Sequence, residues 1–118
     1  FLTIPREGRL ERIELDEIRA ILAADQYVWI QTPRGRTLYR ESLSNLEQRL
    51  DPQRFVRVHR SALLAWDALR VVESTGGGRG RAGVEIESGR LLWVPVARAR
   101  LAGLRARLTA PGNPSQQD

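Results

Sequence analysis

A chain of 118 residues with 42% hydrophobic and 28% charged side chains has the size and composition of one globular domain. It contains no Cys and a single His, which excludes disulfides, thiol catalysis and Cys-ligated or multi-His metal sites, so we expect neither metal nor cofactor. The net charge is +5, every basic residue is Arg, and no apolar run approaches the roughly 20 residues that span a bilayer.

The positive charge is unevenly distributed along the chain. Residues 52–118 hold 11 Arg and five acidic residues, whereas residues 1–51 hold eight Arg and nine acidic residues. A bias toward Arg codons would explain the lack of Lys by itself. However, guanidinium groups also suit phosphates and guanine edges, so the C-terminal excess indicates an anionic partner.

Short β-prone segments bounded by turn residues follow one another along the chain. We predict strands at residues 9–15, 18–22, 27–30, 36–39, 55–58, 62–64, 69–72, 84–86 and 91–94. Strands and helices do not alternate regularly, and this series therefore predicts a mainly β fold with antiparallel sheets.

Two segments have the leucine spacing of amphipathic helices. The first covers residues 41–50, where Ser42 is a suitable N-cap and Pro52 follows the end. The second covers residues 97–108, with Leu101, Leu104 and Leu108 at helical spacing.

Two further segments are rich in turn residues. The glycine-rich stretch 74–83 (STGGGRGRAG) is predicted to be a flexible hairpin loop, in which Arg79 and Arg81 are weak candidates for phosphate contacts. Residues 109–118 are polar with two prolines, and we predict a disordered tail there, following a domain at residues 1–108.

The stretch RFVRVHRS places cations at the end of a strand. Val56 and Val58 alternate onto one face, and Arg57 and His59 point to the other. A lone His in a strand is most often a hydrogen-bonded structural residue, and Arg57 suits phosphate or solvent. Arg60 lies where the strand ends, and a loop tip there can reach a partner.

Two other positions are candidates for the same surface. Arg98 and Arg100 fall in the first turn of the second helix, where the helix dipole disfavours a cation unless an anion compensates. Gln26 lies in a turn between two predicted strands, and a loop-tip amide can pair with adenine.

Three segments together resemble the LytTR (LytR/AlgR-type) DNA-binding domain, over residues 4–108. They are IRAILAADQYVWIQTPRGRTLYRESLSNLEQRL, then DPQRFVRVHRSALL, then GRLLWVPVARARLAGLRARL. The most specific element is RFVRVHRS followed by a short apolar strand, and the RESL helix start and the terminal VPV-x-R element agree with it.

The resemblance implies an elongated fold of about ten short strands in small antiparallel sheets with short helices. It also implies sequence-specific DNA binding as the output domain of a cytoplasmic bacterial regulator, such as a two-component response regulator. A receiver or sensor domain would precede this chain, and a dimer would bind repeated half-sites. Such domains insert loops into successive major grooves. The implied base contacts are Gln26, Arg60 and Arg98, and the implied backbone or supporting contacts are Tyr27, Arg57, His59, Ser61 and Arg100.

Other functions are weighed against this one. A β-rich protein-interaction module could present the same basic patch to an acidic protein. A single-stranded RNA binder could stack bases on Tyr27, Trp29 and Trp93, although Trp29 and Trp93 lie in apolar strand segments that predict burial. An enzyme is not expected, because the sequence has no paired carboxylates in a recognisable context and no phosphate-loop motif.

Overall fold

Ten strands and two α-helices follow one another within residues 1–110, the part of the chain that the computed structural model describes. The strands are β1 (Leu2–Arg6), β2 (Arg9–Ile13), β3 (Ala20–Ala24), β4 (Tyr27–Thr32), β5 (Gly35–Tyr39), β6 (Phe55–His59), β7 (Ala62–Ala65), β8 (Leu69–Gly76), β9 (Arg79–Glu87) and β10 (Arg90–Val96). The helices are α1 (Leu43–Arg49) and α2 (Arg98–Leu108). The predicted mainly β fold of small antiparallel sheets is confirmed, and the molecule is elongated, with extents of 49 × 30 × 24 Å.

The largest sheet has five antiparallel strands in the order β5-β4-β3-β7-β6. Its central strands are the most apolar, and Ile21, Leu63 and Leu64 are fully buried. Helix α1 packs against β3, β6 and β7. Its first turn is capped by Ser42, whose hydroxyl accepts a hydrogen bond from the backbone N–H of Asn45 at 3.0 Å, as the sequence predicts.

A three-stranded sheet, in the order β10-β9-β8, carries α2. Leu101 and Leu104 of this helix are buried. The N-cap residue Ala97 donates its backbone N–H to the carbonyl oxygen of Val58 at 2.8 Å, which fixes the start of α2 beside β6. Strands β1 and β2 form a separate hairpin whose buried side chains join the same hydrophobic core.

The prediction of a flexible loop at residues 74–83 is wrong. Strands β8 and β9 continue through this segment, and only Gly77 and Gly78 lie between them. Within β9, a Cβ atom on Gly80 would lie 2.7 Å from Cδ1 of Leu101, and one on Gly83 would lie 3.2 Å from the ring of Trp93. These two glycines therefore allow close packing in a regular strand.

Other predictions need smaller corrections. Strand β1 is missing from the sequence prediction, and the third strand is Ala20–Ala24 where residues 18–22 are predicted. Trp93 is 38% exposed because it lies on the outer face of the three-stranded sheet, so its predicted burial is wrong, and Trp29 is only half-buried. The domain boundary after residue 108 and the tail stay predictions, since residues 111–118 lie outside the described part.

Candidate nucleic-acid interface

Two turns of the five-stranded sheet lie side by side at one end of the molecule. Leu22 of β3 is paired with Ala62 of β7, and Ala23 donates its backbone N–H to the carbonyl oxygen of Ser61 at 2.9 Å. The β3–β4 turn, which holds Gln26, is therefore next to the β6–β7 turn, which holds Arg60. Both side chains are exposed.

The start of α2 and the tip of the β8–β9 hairpin lie at the same end. An open groove there is lined by His59, Arg60, Thr75, Arg79, Gly80, Pro95, Val96, Ala97 and Arg98. The three predicted base contacts, Gln26, Arg60 and Arg98, thus come from separate parts of the chain to one end of the fold. We call the end formed by the β3–β4, β6–β7 and β8–β9 turns and the first turn of α2 the basic end.

Arg57 holds the β6–β7 turn in place. Its Nε donates to the carbonyl oxygen of His59 at 2.7 Å, and its Nη2 donates to the carbonyl oxygen of Arg60 at 2.7 Å. Its Nη1 donates to Oε1 of Glu47 at 2.8 Å, and the side chain is only 16% exposed. With all three nitrogens engaged, Arg57 is placed to support the turn that presents Arg60, and it is poorly placed to meet a phosphate.

His59 and Ser61 close the other side of this turn. The backbone N–H of Ser61 donates to Nδ1 of His59 at 3.1 Å, and the Ser61 Oγ lies 2.8 Å from the same nitrogen. Because Nδ1 accepts the backbone hydrogen bond, the proton of the neutral ring is on Nε2. This arrangement fits the hydrogen-bonded structural role expected for His59.

Exposed arginines at the basic end lack ion pairs. Among residues 1–110, no acidic side chain lies within ion-pair distance of Arg40, Arg60, Arg79, Arg98 or Arg100. All five side chains are exposed. Such groups keep their full positive field at the surface, which favours an anionic partner.

Arg40 was missed by sequence reasoning, although a signal for it exists. The TPRG turn connects β4 with β5, and Val28 is paired with Tyr39 in this hairpin. Arg40 follows directly and therefore lies beside the exposed Tyr27, at the basic end. Extending the predicted strand 36–39 by one residue places this cation there.

Arg79 is only a weak candidate from the sequence, because its segment is predicted to be a flexible loop. In the structure it begins the regular strand β9.

The opposite end of the molecule carries four arginines that are ion-paired. Glu11 accepts from Arg6 and Arg9, each at 3.1 Å, Arg12 contacts Glu14 at 2.7 Å, and Arg34 contacts Glu17 at 2.7 Å. The hydrogen bond from Arg6 is the main reason that the pKa of Glu11 lies below its ordinary value of 4.5. We call this region, formed by the β1–β2 hairpin, residues 14–17 and the β4–β5 turn, the paired end.

The tryptophans do not form a stacking platform. Trp29 and Trp93 belong to different sheets, and an arginine of the protein covers each ring, Arg36 at 4.4 Å and Arg81 at 4.0 Å from the centroid. Arg81 also forms an ion pair with Glu73 at 2.9 Å. These rings already have cationic partners, which argues against a single-stranded RNA binder of this design.

No helix within residues 1–110 is both long enough and apolar enough to cross a membrane. In the same residues, no three His, Cys, Asp or Glu side chains come together as a metal site.

Comparison with known proteins gives one consistent result. The model of the LytTr DNA-binding domain matches residues 8–109. The positive alginate biosynthesis regulatory protein of Pseudomonas aeruginosa is 33% identical over 100 residues, which are 85% of this chain and 39% of that protein. The CO-responsive transcriptional regulator RcoM of Rhodospirillum rubrum is 36% identical over 88 residues, which are 74% of this chain and 36% of that protein.

A solved structure supports the fold. The LytTr DNA-binding domain of a Bacillus cereus protein superposes with a TM-score of 0.75 at 16% identity, covering 92% of this chain and 95% of that one. At this identity the likeness concerns the fold alone. The chain spans less than two fifths of the length of the two curated relatives.

Proposed function

Because the chain belongs to the family of LytTR DNA-binding domains, we propose that its basic end docks on duplex DNA and reads its sequence. Turns of this end would enter successive major grooves, in contrast to proteins that insert a recognition helix. Reading of base edges in the major groove distinguishes all four base pairs, which sequence-specific binding requires.

The observation that carries this proposal is the concentration of unpaired arginines at one end. Arg40, Arg60, Arg79, Arg98 and Arg100 are exposed there without ion pairs in the described part of the chain. Binding to phosphates releases counterions from the DNA and requires no internal ion pair to be broken. The four ion-paired arginines at the paired end could not bind DNA so favourably, because each already has an acidic partner.

Residues at the basic end are proposed to act in three ways, which are contact with base edges, contact with the DNA backbone and support of a turn. Gln26, Arg60 and Arg98 are assigned to base edges, because they lie in two turns and at the start of α2 and can reach into a groove. The residues assigned to the DNA backbone are Tyr27, Arg40, Ser61, Arg79 and Arg100. Arg57 and His59 are assigned to support, because their polar atoms hold the backbone of the β6–β7 turn.

A phosphate near the start of α2 would also resolve a local electrostatic conflict. The first turn of this helix contains Arg98 and Arg100 and no acidic residue, and Ala97 provides no side-chain cap. Backbone N–H groups at a helix start favour anions and disfavour cations. A DNA phosphate would satisfy both Arg100 and the helix dipole.

The chain is proposed to act within a longer bacterial protein in the cytoplasm. Its two curated relatives are regulators more than twice its length, as the covered shares indicate. A receiver or sensor domain would therefore be joined to this output domain, and two copies would bind repeated half-sites as a dimer. We assign the domain no enzymatic activity, and neither a metal nor a cofactor.

Selection from a randomised double-stranded library tests the proposal. We expect enrichment of a repeated motif, and binding of the selected duplex in preference to a scrambled duplex of equal length. Polyglutamate serves as the competitor that represents an acidic protein partner. Equal binding of both duplexes, with efficient competition by polyglutamate, would favour the protein-interaction module instead and would refute sequence-specific DNA recognition.

A further inference from the structure

The tip of the β8–β9 hairpin lies directly beneath the side chain of Arg98. A Cβ atom on Gly78 would lie 2.9 Å from Nε, 3.0 Å from Cγ and 3.1 Å from Cδ of Arg98. A Cβ atom on Gly77 would lie 3.9 Å from Nη2 of the same residue. The Arg98 side chain therefore runs along the bare backbone of this turn, from Gly78 toward Gly77.

This contact restricts a side chain that has few other partners. Arg98 forms no ion pair within residues 1–110, and its helix position offers no acidic neighbour in the first turn. An unrestricted arginine loses much side-chain entropy when a ligand fixes it. A surface that holds the side chain in place beforehand lowers this cost of binding.

We infer that Gly78 is a positioning residue for DNA recognition, because the absence of a side chain there lets Arg98 lie along the hairpin with its guanidinium at the groove. The groove is lined by Arg60, Arg79 and Arg98. The inference rests on the proposed contact of Arg98 with a base edge. It gives the glycine-rich hairpin a part in recognition that the sequence motifs do not assign.

The chain contains a second glycine with almost the same backbone geometry as Gly78, and this glycine serves as the control for the effect of backbone strain. Gly78 has φ +80°, and Gly89 in the β9–β10 turn has φ +78°. A Cβ atom on Gly89 would have nothing within 4 Å. Alanine should strain the backbone equally at both positions, because L residues disfavour this region. Only at Gly78 would the added methyl group displace Arg98.

The experiment compares Gly78→Ala, Gly89→Ala, Arg98→Ala and the double variant Gly78→Ala/Arg98→Ala. Affinity is measured for the library-selected duplex and for its scrambled version at one salt concentration. The Nε–H signal of Arg98 is followed by NMR in the DNA-free protein, and melting temperatures report folding. Gly78→Asn provides a second variant, because Asn tolerates left-handed backbone better than Ala does.

We expect Gly78→Ala to reduce discrimination between the duplexes about tenfold, within the range of one lost bidentate base contact. It should also shift the Arg98 Nε–H signal. Gly89→Ala should melt like Gly78→Ala but keep discrimination within about twofold of the original chain. The double variant should discriminate no worse than Arg98→Ala alone, because the effect of Gly78 passes through Arg98.

Three results would overturn the inference. If Arg98→Ala removes discrimination while Gly78→Ala and Gly78→Asn behave like Gly89→Ala, Gly78 has no positioning role and the base contact of Arg98 stands. If the losses of discrimination caused by Gly78→Ala and Arg98→Ala add in the double variant, Gly78 acts through a group other than Arg98. If Arg98→Ala itself leaves discrimination unchanged, the proposed base contact fails and the inference fails with it, whatever the NMR signal shows.

Discussion

The basic end and the paired end use the same residue type in opposite ways. At the paired end, Arg6, Arg9, Arg12 and Arg34 each contact a glutamate at 2.7–3.1 Å. At the basic end, five exposed arginines, which follow β5, lie in the β6–β7 turn, begin β9 or lie in the first turn of α2, have no ion pair in the described part of the chain. The comparison shows that the number of arginines in a region does not determine its capacity to bind an anion. The placement of glutamates does.

The ion pairs of the paired end contribute little to folding. Their arginines are 49–74% exposed, and exposed pairs typically contribute about 0–1 kcal/mol. Their main effect is to cancel positive charge locally, whereas the charge of the unpaired arginines at the basic end is not cancelled. If the basic end docks on DNA as proposed, this charge pattern would orient the domain on its partner more than it stabilises the fold.

The largest expected effect is that of salt on DNA affinity. If each of the five unpaired arginines releases about one counterion from the DNA, whether it contacts a phosphate or enters the groove to reach a base, affinity should fall with a log–log slope of about −4 to −5, or roughly 10²–10³-fold between 50 and 200 mM salt. Fluorescence anisotropy with the selected duplex measures this slope. Arg40→Gln and Arg79→Gln should each make it less steep by about 0.9.

Matched changes at the paired end test the comparison itself. Arg12→Gln and Arg34→Gln remove the same charge from the chain but lie outside the proposed contact surface. Their salt slopes should equal that of the original chain. Equal reductions from all four substitutions would mean that net charge, and not the arrangement of the basic end, governs binding.

The next largest effect concerns discrimination between sequences. Arg60→Ala and Arg98→Ala should each cost roughly 1–3 kcal/mol on the selected duplex and relax specificity at one base position. Binding to the scrambled duplex should change much less. Arg34→Ala is the control, because Arg34 lies at the paired end and contacts Glu17 there. Equal losses on both duplexes would identify Arg60 and Arg98 as phosphate contacts, and Gln26 would become the main candidate for base reading.

Arg57 lies near the basic end but is ion-paired, so its substitution tests whether pairing or position determines the role of an arginine. Arg57→Ala leaves two backbone carbonyls and Glu47 without their donor, and we expect a loss of about 2 kcal/mol in the free energy of unfolding. Urea titration measures this loss. Arg34→Ala, which breaks an exposed pair, should cost less than about 1 kcal/mol. A fully stable Arg57→Ala variant with weakened DNA binding would show that Arg57 contacts DNA directly.

The smallest expected effect is the pH dependence of the stability that Glu11 contributes at the paired end. The hydrogen bond from Arg6 lowers the pKa of Glu11 in the folded chain below 4.5, the value it regains on unfolding. Its contribution to stability is therefore complete above that pH and is lost as the pH falls through the folded pKa. Thermal unfolding at neutral pH and at about pH 3 should show Glu11→Gln approaching the original chain in acid. A difference between Glu11→Gln and the original chain that is as large in acid as at neutral pH would contradict this account.

Much of the fold follows from local sequence patterns. The β-prone segments 27–30, 36–39 and 55–58 predict strands that the structure contains, and Leu43, Leu46 and Ser42 predict α1 with its cap. The glycine-rich hairpin is the clearest failure. Glycine indicates flexibility when it is exposed and close packing when it is covered. Folding decides which applies, because it places the Glu73 carbonyl and Leu101 against Gly80 and places Trp93 against Gly83.

The candidate site also combines features that the sequence predicts with features that only the tertiary structure shows. Sequence by itself identifies Gln26, Arg60 and Arg98 as exposed polar residues at turns or a helix start, because these properties depend on near neighbours. Tertiary structure alone shows that they share one end of the molecule, since this depends on the pairing of β3 with β7 and on the bond from Ala97 to Val58.

Which arginines remain unpaired is also decided by tertiary structure. Glu17 reaches Arg34 across 17 positions, Glu47 reaches Arg57 across ten, and Gly78 supports Arg98 across 20 positions of sequence. A cation's field depends on every charge within a few ångströms, and folding sets those distances independently of chain order. Composition therefore determined that this protein is basic, and only the fold determined where that charge is free to act.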